Sequence, residues 1–242
     1  MLYISTHLLS MTITKTAIIQ RHLFALFIFV AVDNLHAQWT DYGLWSGAGI
    51  SQEVFENFSY EVETQARWDY DFSRLGSAFA DVGASQDLSP FAPGLKVATS
   101  LRLGMSRADN FMWEPIRRLS GSARWKTDLT ENVAVSCRLR YQSSFKEAGF
   151  AQAVRLRGAI HCQASKKLKA TVSTEVFTRQ KDFGWYYSDF RVRFVLSKKT
   201  SKRRWASFGY QVEQQKNTAD PWTEHRLICT YDIELKGRKG KK

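Results

Sequence analysis

The stretch YEVETQARWDY (residues 60–70) alternates between two kinds of side chain almost without error. In an extended chain, successive side chains point to opposite faces. One face carries Tyr60, Val62, Thr64, Ala66, Trp68 and Tyr70, and the other carries Glu61, Glu63, Gln65, Arg67 and Asp69. If the apolar face packs on a core, the strand belongs to a soluble sheet protein. If that face meets lipid, the charged face lines the interior of a membrane barrel.

The same period of two recurs from Gln38 onward, and no helical period of useful length appears. Short polar turns separate the strand-like segments. We identify eleven of them, at residues 43–53, 58–70, 76–87, 94–106, 117–128, 132–143, 152–164, 168–180, 185–197, 203–214 and 223–235. One repeated hairpin unit therefore predicts an all-β domain over residues 38–235.

Segment length and aromatic placement favour the membrane interpretation. Soluble strands commonly have about five or six residues and outer-membrane strands roughly nine to eleven, whereas most segments here have eleven to thirteen. Tyr60 and Tyr70 are about 33 Å apart along a strand, or roughly 25 Å after a tilt of about 40°, which matches the height of a lipid-facing band. The aromatic residues predicted at the membrane interfaces are Tyr60, Trp68, Tyr70, Trp125, Tyr141, Trp205 and Tyr231. The sequence thus predicts a closed antiparallel up-and-down transmembrane β-barrel, with a periplasmic or secreted barrel as the alternative.

The polar face of these segments is rich in arginine, while lysine clusters in turns and near the C-terminus. Inside a narrow barrel, charged side chains need partners that offset the loss of hydration. A guanidinium group suits this role because it binds a carboxylate through two parallel hydrogen bonds. The predicted lumen charge network consists of Glu61, Glu63, Arg67, Arg102, Arg124, Arg138, Arg140, Arg155, Arg157, Glu175, Arg191, Arg193, Glu213 and Arg226. On a soluble sheet these residues would be an ordinary hydrated surface.

The first 37 residues have the order of a secretory signal peptide. Lys15 and Arg21 precede the apolar run LFALFIFVAV (residues 23–32), and Ala37 offers a cleavage site before Gln38. The run of ten residues is too short to span a bilayer as a helix. We therefore expect export, removal of residues 1–37, and a mature chain that ends in the basic tail KGRKGKK (residues 236–242).

The formal net charge of +12 does not point to nucleic acid. The predicted signal peptide carries a net charge of +1 and the tail carries +5, which leaves +6 on residues 38–235. Much of the excess is therefore a short tail on an exported chain. We predict no nucleic-acid partner.

Three cysteines, Cys137, Cys162 and Cys229, lack the spacing of a zinc site or a disulfide framework. All three fall on the apolar face, where cysteine serves as a small hydrophobic residue. Cys137 and Cys162 could lie opposite each other across a hairpin turning near Gly149, so an oxidised pair remains an alternative. No phosphate loop, metal motif or dinucleotide fingerprint occurs, and we predict no cofactor and no metal.

The opening stretch DYGLWSGAGIS (residues 41–51) and the later YEVETQARWDYDFSRL (residues 60–75) resemble a bacterial family of uncharacterised outer-membrane barrels, the domain-of-unknown-function family numbered 2490. The residues that carry the resemblance are Trp45, Gly47, Glu61, Glu63, Arg67 and the corner at 71–75, and the general pattern covers most of residues 41–235. The resemblance implies a Gram-negative outer membrane, with membrane lipid and the barrel-insertion machinery as partners, and no agreed activity. Outer-membrane chains usually end on an aromatic residue, whereas here Leu235 precedes the basic tail.

The predicted number of strands follows from the way such barrels close. Eleven antiparallel strands cannot close with both chain ends on the same side of the membrane, so the sequence predicts ten or twelve. The sequence leaves the oligomeric state open.

Two functions are compatible with this pattern. The first is a structural barrel or a narrow channel for small polar or anionic solutes, because excess arginine in a lumen favours anions. The second is a lipid-modifying hydrolase or acyltransferase, in which His161 on the polar face would act with Ser173 or Thr171, and with Glu175, across the next hairpin. A lone lumen histidine is more simply a hydrogen-bonding group, so we predict no catalytic residue and favour the first function.

Overall fold

Each of the eleven predicted segments forms a β-strand, and the strands close into one barrel. The computed structural model describes residues 39–108, 112–146, 149–181, 184–217 and 221–237, so the predicted signal peptide and residues 238–242 of the tail lie outside them. The strands are β1 (Trp39–Phe55), β2 (Phe58–Asp69), β3 (Arg74–Asp87), β4 (Leu95–Arg107), β5 (Trp113–Thr130), β6 (Val133–Lys146), β7 (Gly149–Ser165), β8 (Leu168–Lys181), β9 (Gly184–Ser201), β10 (Arg204–Gln215) and β11 (Trp222–Glu234). The described residues contain no helix long and apolar enough to cross a membrane.

The barrel closes through a parallel pair between β1 and β11, and all its other neighbouring strands are antiparallel. The predicted count of ten or twelve strands is therefore wrong, because eleven strands form the wall. That prediction assumed that the first and last strands must also run antiparallel. A parallel seam lets an odd number close and still gives the backbone groups of both edge strands hydrogen-bonding partners.

Because the first and last strands run in the same direction, β1 starts at one end of the barrel and β11 finishes at the other. At the N-terminal mouth, Trp39 of β1 is paired with Trp222 of β11. At the C-terminal mouth, Ser51 is paired with Glu234, and the backbone N–H of Leu235 donates to the carbonyl of Ser51 at 2.7 Å. The connections at the C-terminal mouth are residues 56–57, 88–94, 131–132, 166–167 and 202–203.

The barrel buries polar side chains and exposes apolar ones. Gln211 and Asp189 on the inner face are 0% exposed, whereas Leu139 and Val82 on the outer face are each 52% exposed. In a soluble domain the fully buried residues are mostly apolar, so this distribution is reversed. The apolar face of the alternating strands is thus the outer surface, and the charged face is the wall of the lumen.

The turn after β2 is held by a carboxylate at the N-terminal mouth. Tyr70, Asp71 and Phe72 all have left-handed backbone angles, with φ of 54°, 54° and 65°. Residues other than glycine rarely adopt such angles. The two carboxylate oxygens of Asp41 accept hydrogen bonds from the backbone N–H groups of Tyr70 and Asp71, each at 3.1 Å. Asp41 therefore compensates for the strain of this turn.

Replacing Asp41 with alanine is expected to lower the free energy of unfolding by about 1–3 kcal/mol, because two backbone donors lose a buried charged acceptor. Urea unfolding of the refolded barrel in detergent micelles measures the change. Asp71→Asn in the same turn is the matched control, since the Asp71 side chain is exposed and asparagine also tolerates its left-handed backbone. Equal stability of the two variants would contradict the role assigned to Asp41.

The three cysteines are free and lie on the outer face. Cys137 pairs with Gly158, and Cys162 pairs with Val133, so the predicted opposition of Cys137 and Cys162 is wrong. The reason is the position of the hairpin turn, which comes early enough to bring Phe145 opposite Phe150.

Candidate functional site

A layer of aromatic rings and guanidinium groups crosses the middle of the lumen. Its rings belong to Trp45 on β1, Phe79 on β3 and Phe177 on β8, all of them buried. The guanidinium of Arg67 lies 3.9 Å from the centre of the Trp45 ring, and that of Arg102 lies 3.6 Å from the centre of the Phe79 ring. We define the central layer as Trp45, Arg67, Phe79, Arg102, Arg155, Phe177 and Arg191.

Trp45 joins the central layer because four guanidinium groups lie over its ring. Their distances from a Trp45 ring centre are 3.9 Å for Arg67, 4.7 Å for Arg226, and 5.4 Å for both Arg191 and Arg193. Arg191 and Arg193 belong to β9, three strands away from β1 around the wall. The indole therefore projects into the lumen and occupies its centre, where cation–π attraction stabilises the contacts.

Sequence reasoning missed Phe79 and Phe177 because it assigned the aromatic residues to the outer face. The signal was present in the alternation, since Phe79 falls in step with Asp81 and Phe177 in step with Glu175. Space for the Phe79 side chain comes from Gly104 on the next strand, where an added Cβ would lie 2.4 Å from the Phe79 Cβ.

Glu175 is a buried carboxylate that pairs with three arginines. Arg155 Nη2 lies 2.8 Å, Arg191 Nη1 3.2 Å and Arg138 Nη2 3.4 Å from its oxygens. Arg155 also donates from Nε at 3.1 Å, which makes its contact two-pronged. These ion pairs offset the loss of hydration of the Glu175 carboxylate inside the barrel.

Glu213 continues the network on the adjoining wall. It accepts from Arg191 at 2.6 Å and from Arg226 at 3.3 Å, so Arg191 bridges Glu213 and Glu175. Arg226 also pairs with Glu224 and lies 3.9 Å from Asp69. The network thus spans β6 to β11 and reaches Asp69 at the end of β2.

Two further contacts involve predicted network residues. Arg102 binds Asp81 in a two-pronged manner, with hydrogen bonds of 2.8 Å and 2.6 Å. Arg193 donates twice to the amide oxygen of Gln211, at 2.9 Å and 2.6 Å.

The wall formed by β4 to β7 places arginine opposite arginine. The directly opposed pairs are Arg102 with Arg118, Arg124 with Arg138, Arg138 with Arg157, and Arg140 with Arg155. We define the arginine wall as Arg118, Arg124, Arg138, Arg140 and Arg157. Like charges directly opposite each other on a sheet are destabilising.

The arginine wall is only partly neutralised. Within the described part of the chain, the ion pairs leave Arg118, Arg124, Arg140 and Arg157 without a carboxylate partner. The Nε atoms of Arg138 and Arg140 are buried without a hydrogen-bond partner. The wall therefore carries positive charge that the described carboxylates do not neutralise.

Carboxylates line the opposite side of the lumen near the C-terminal mouth. Glu63 and Asp232 flank Gly49 in one cross-strand row, and Glu61 lies one row nearer the mouth. In the closed order of eleven strands, β1 stands across the barrel from β6 and β7. The lumen is thus acidic on one side and basic on the other at this level.

The structure places all residues of the predicted lumen network on the inner face, but only some of them contact charged or aromatic partners. Arg67, Arg102, Arg138, Arg155, Glu175, Arg191, Arg193, Glu213 and Arg226 make the ring contacts, ion pairs and hydrogen bonds described above. Glu63 accepts a hydrogen bond of 2.5 Å from Gln65. Glu61, Arg124, Arg140 and Arg157 have no carboxylate or guanidinium ion-pair partner among the described residues.

Two of the predicted interface aromatics occupy other positions. Trp205 points inward because it lies on the same face of its strand as the inner residue Gln211. Lys169 Nζ lies 4.2 Å and Lys199 Nζ 5.5 Å from a centre of its ring system. Tyr70 lies beyond the end of β2, in the left-handed turn. The residues that alternate outward as predicted are Tyr60, Trp68, Trp125, Tyr141 and Tyr231.

The candidate catalytic set around His161 is not assembled. His161 contacts the hydroxyls of Ser136 at 2.9 Å and Thr171 at 3.1 Å. Ser173 pairs with Ala159, and the Glu175 oxygens are occupied by arginines. Of the two hydroxyl residues predicted beside His161, the strand register selects Thr171, and Ser173 and Glu175 lie farther along the same face.

Asp41, Asp69 and Glu224 bring carboxylate oxygens within 4.8 Å of one another at the N-terminal mouth, a grouping that could suit a hard cation. Their charge is met inside the protein, because Arg226 pairs with Glu224 and with Asp69. Asp41 is engaged by the backbone of the turn after β2. The group therefore acts as a structural clamp between β1, β2 and β11.

The fold and its interior define a closed β-barrel with an apolar outer surface and a charged lumen. The chain belongs to the family described as "Protein of unknown function (DUF2490)", which matches residues 42–224. This confirms the resemblance found in the sequence. No curated protein matches the chain.

Three solved structures are similar to parts of the chain. A NanC porin has 14% identity and a TM-score of 0.46, covering 71% of this chain and 85% of the porin. A KdgM porin has 18% identity and a TM-score of 0.44, covering 69% and 81%. An anion-selective porin from Comamonas acidovorans has 8% identity and a TM-score of 0.37, covering 73% of this chain and about half, 53%, of the porin.

Proposed function

We propose that the protein is an outer-membrane β-barrel whose lumen is a narrow path with a preference for small anions. The reversed distribution of side chains supports the membrane location, because an apolar outer surface of this extent is a hazard in water and a requirement in lipid. Membrane lipid and the barrel-insertion machinery are the partners that such a location requires.

The arginine wall is the observation that carries the anion preference. Arg118, Arg140 and Arg157 lack a carboxylate partner within the described residues, and opposed arginines repel each other. A passing anion relieves that repulsion, whereas a cation increases it. Rings of arginine or lysine side chains are the usual means by which pores select anions.

The central layer sets the width of the path. Trp45, Phe79 and Phe177 are 3%, 6% and 5% exposed, so their rings leave little water around them. We therefore expect a small conductance, far below that of a barrel with an open aqueous lumen.

The test is a planar-bilayer recording of the refolded mature chain across a potassium chloride gradient. The expected result is small current steps with a reversal potential of the sign that chloride permeation gives. The double variant Arg140→Gln/Arg157→Gln should bring the permeability ratio closer to one, because it removes two uncompensated charges. Arg204→Gln, an exposed residue at the C-terminal mouth, is the control and should leave the ratio unchanged. A cation preference in the unchanged protein would contradict the proposal.

The second candidate function is a closed structural barrel, which the burial of the central layer favours. The same recording separates the two functions. Absence of current from a barrel that gel mobility shows to be folded and inserted would leave the structural role and remove the conducting one.

A further inference from the structure

A cavity of about 310 Å³ opens at the C-terminal mouth, on the basic side of the lumen. Four cationic or protonatable side chains line it from three strands: Arg124 and Lys126 from β5, His161 from β7 and Lys169 from β8. Asp128 of β5 and Glu131 of the turn after β5 also line it, and Asp128 Oδ1 lies 3.9 Å from Lys126 Nζ. Three cationic side chains against two carboxylates leave the cavity with a net positive charge.

His161 is held in a fixed orientation at this cavity. The hydroxyls of Ser136 and Thr171 contact its Nε2 at 2.9 Å and its Nδ1 at 3.1 Å. Lys126, Arg157, Arg124 and Lys169 are its charged neighbours, and all of them are cationic. A ligand that enters here meets an imidazole and several cations with no carboxylate beside the ring.

We propose that this cavity binds a phosphate monoester through Arg124, Lys126 and Lys169, with His161 as part of its lining. A phosphate monoester carries a charge of about −1.5 to −2 at neutral pH and three acceptor oxygens, so each of the three cationic side chains can reach a different oxygen. A carboxylate has two oxygens in one plane, and chloride neutralises one charge. The volume falls at the lower end of the range for small-molecule sites, which leaves room for the organic part of an ester.

The source of the phosphate follows from the position of the cavity. The cationic side chains that line it belong to the inner face, and the mouth opens to water, so a dissolved ester can enter. The phosphate monoester of a lipid such as phosphatidic acid has the same chemistry but would have to leave the outer surface. The inference rests on the proposed function in one respect. The cavity would be the first site that binds a dianion on its path through the lumen.

The test is calorimetric titration of the refolded mature chain in detergent micelles, at constant ionic strength. Glycerol 3-phosphate and inorganic phosphate are the probes, and acetate and chloride are the comparison anions. Both phosphates should bind saturably and more tightly than acetate. Micelles doped with phosphatidic acid, a lipid phosphate monoester, should not displace glycerol 3-phosphate, and displacement would move the source to lipid and overturn the dissolved-ester proposal.

The variants Lys169→Gln and Arg124→Gln should each weaken phosphate binding roughly tenfold, the loss expected for one charge-assisted hydrogen bond. Lys202→Gln is the matched control, because Lys202 lies exposed in the turn before β10 at the same mouth. Affinities of the two cavity variants equal to that of the control would overturn the proposal, as would equal binding of acetate and glycerol 3-phosphate. If a variant does not fold, the comparison of anions on the unchanged chain decides.

Failure of this site and failure of the anion path give different results. Anion-selective current without phosphate binding removes the cavity and leaves the path. Phosphate binding without any current removes the path and leaves the cavity.

Discussion

The variant Trp45→Ala is expected to lower the free energy of unfolding by about 3–5 kcal/mol, a loss typical of removing a large buried aromatic residue. The physical reason is the arrangement around the ring, where Arg67, Arg191, Arg193 and Arg226 share one indole. Without it, four guanidinium groups lose their common contact and face one another. The midpoint of urea unfolding in micelles measures the effect.

The same variant should also widen the path. The Trp45 ring is 3% exposed at the centre of the lumen, so its removal opens space that water can fill. Single-channel conductance should therefore rise in Trp45→Ala. Trp125→Ala, which removes an outward tryptophan, is the control and should leave conductance unchanged. Unaltered stability and conductance in Trp45→Ala would contradict the central layer as the constriction.

The variant Glu175→Gln is expected to be destabilised to a similar extent, by about 3–5 kcal/mol, because removal of one partner leaves buried charges uncompensated. Glu175 keeps its shape as glutamine, but Arg138, Arg155 and Arg191 lose their shared negative charge. Heat-induced unfolding, followed by the shift in gel mobility, measures the change at several salt concentrations.

Glu56→Gln provides the comparison, since Glu56 is exposed in the turn between β1 and β2 and its replacement should be nearly neutral. Anions at high concentration should restore part of the stability of Glu175→Gln, because they can take the place of the missing carboxylate among the arginines. A variant as stable as Glu56→Gln would show that the network around Glu175 contributes little.

Alternation in the sequence was sufficient to find the strands, because a period of two is a local property. It placed all eleven segments and put the arginines of the predicted network on the inner face. It could not determine closure, since pairing of β1 with β11 joins residues from opposite ends of the chain. The even strand count failed because it came from a rule about barrels and from no residue of this chain.

The contacts inside the lumen depend on strand register, which alternation alone does not fix. His161 illustrates this limit, because the sequence left Ser173 and Thr171 both open as its neighbour and only the register selects Thr171. The inward rings of Phe79 and Phe177 illustrate a second limit. An aromatic residue suits an apolar outer face as well as a stack with arginine, so its type alone does not show which face it occupies. We also predicted Trp205 on the outer face. It lies an even number of residues from Gln211 on the same strand and therefore points inward with it.

The most direct test of a lipid-facing outer surface uses the native cysteines Cys137 and Cys229, which are free and exposed on that surface. Outer membranes that hold the Cys162→Ser variant, which lacks the cysteine beside the mouth cavity, are treated with a charged, water-soluble maleimide, and labelling is compared before and after boiling in detergent. Lipid should shield Cys137 and Cys229, so the predicted result is little labelling in the membrane and full labelling after boiling. Rapid labelling of the native protein, with the chain recovered in the soluble periplasmic fraction, would contradict the account.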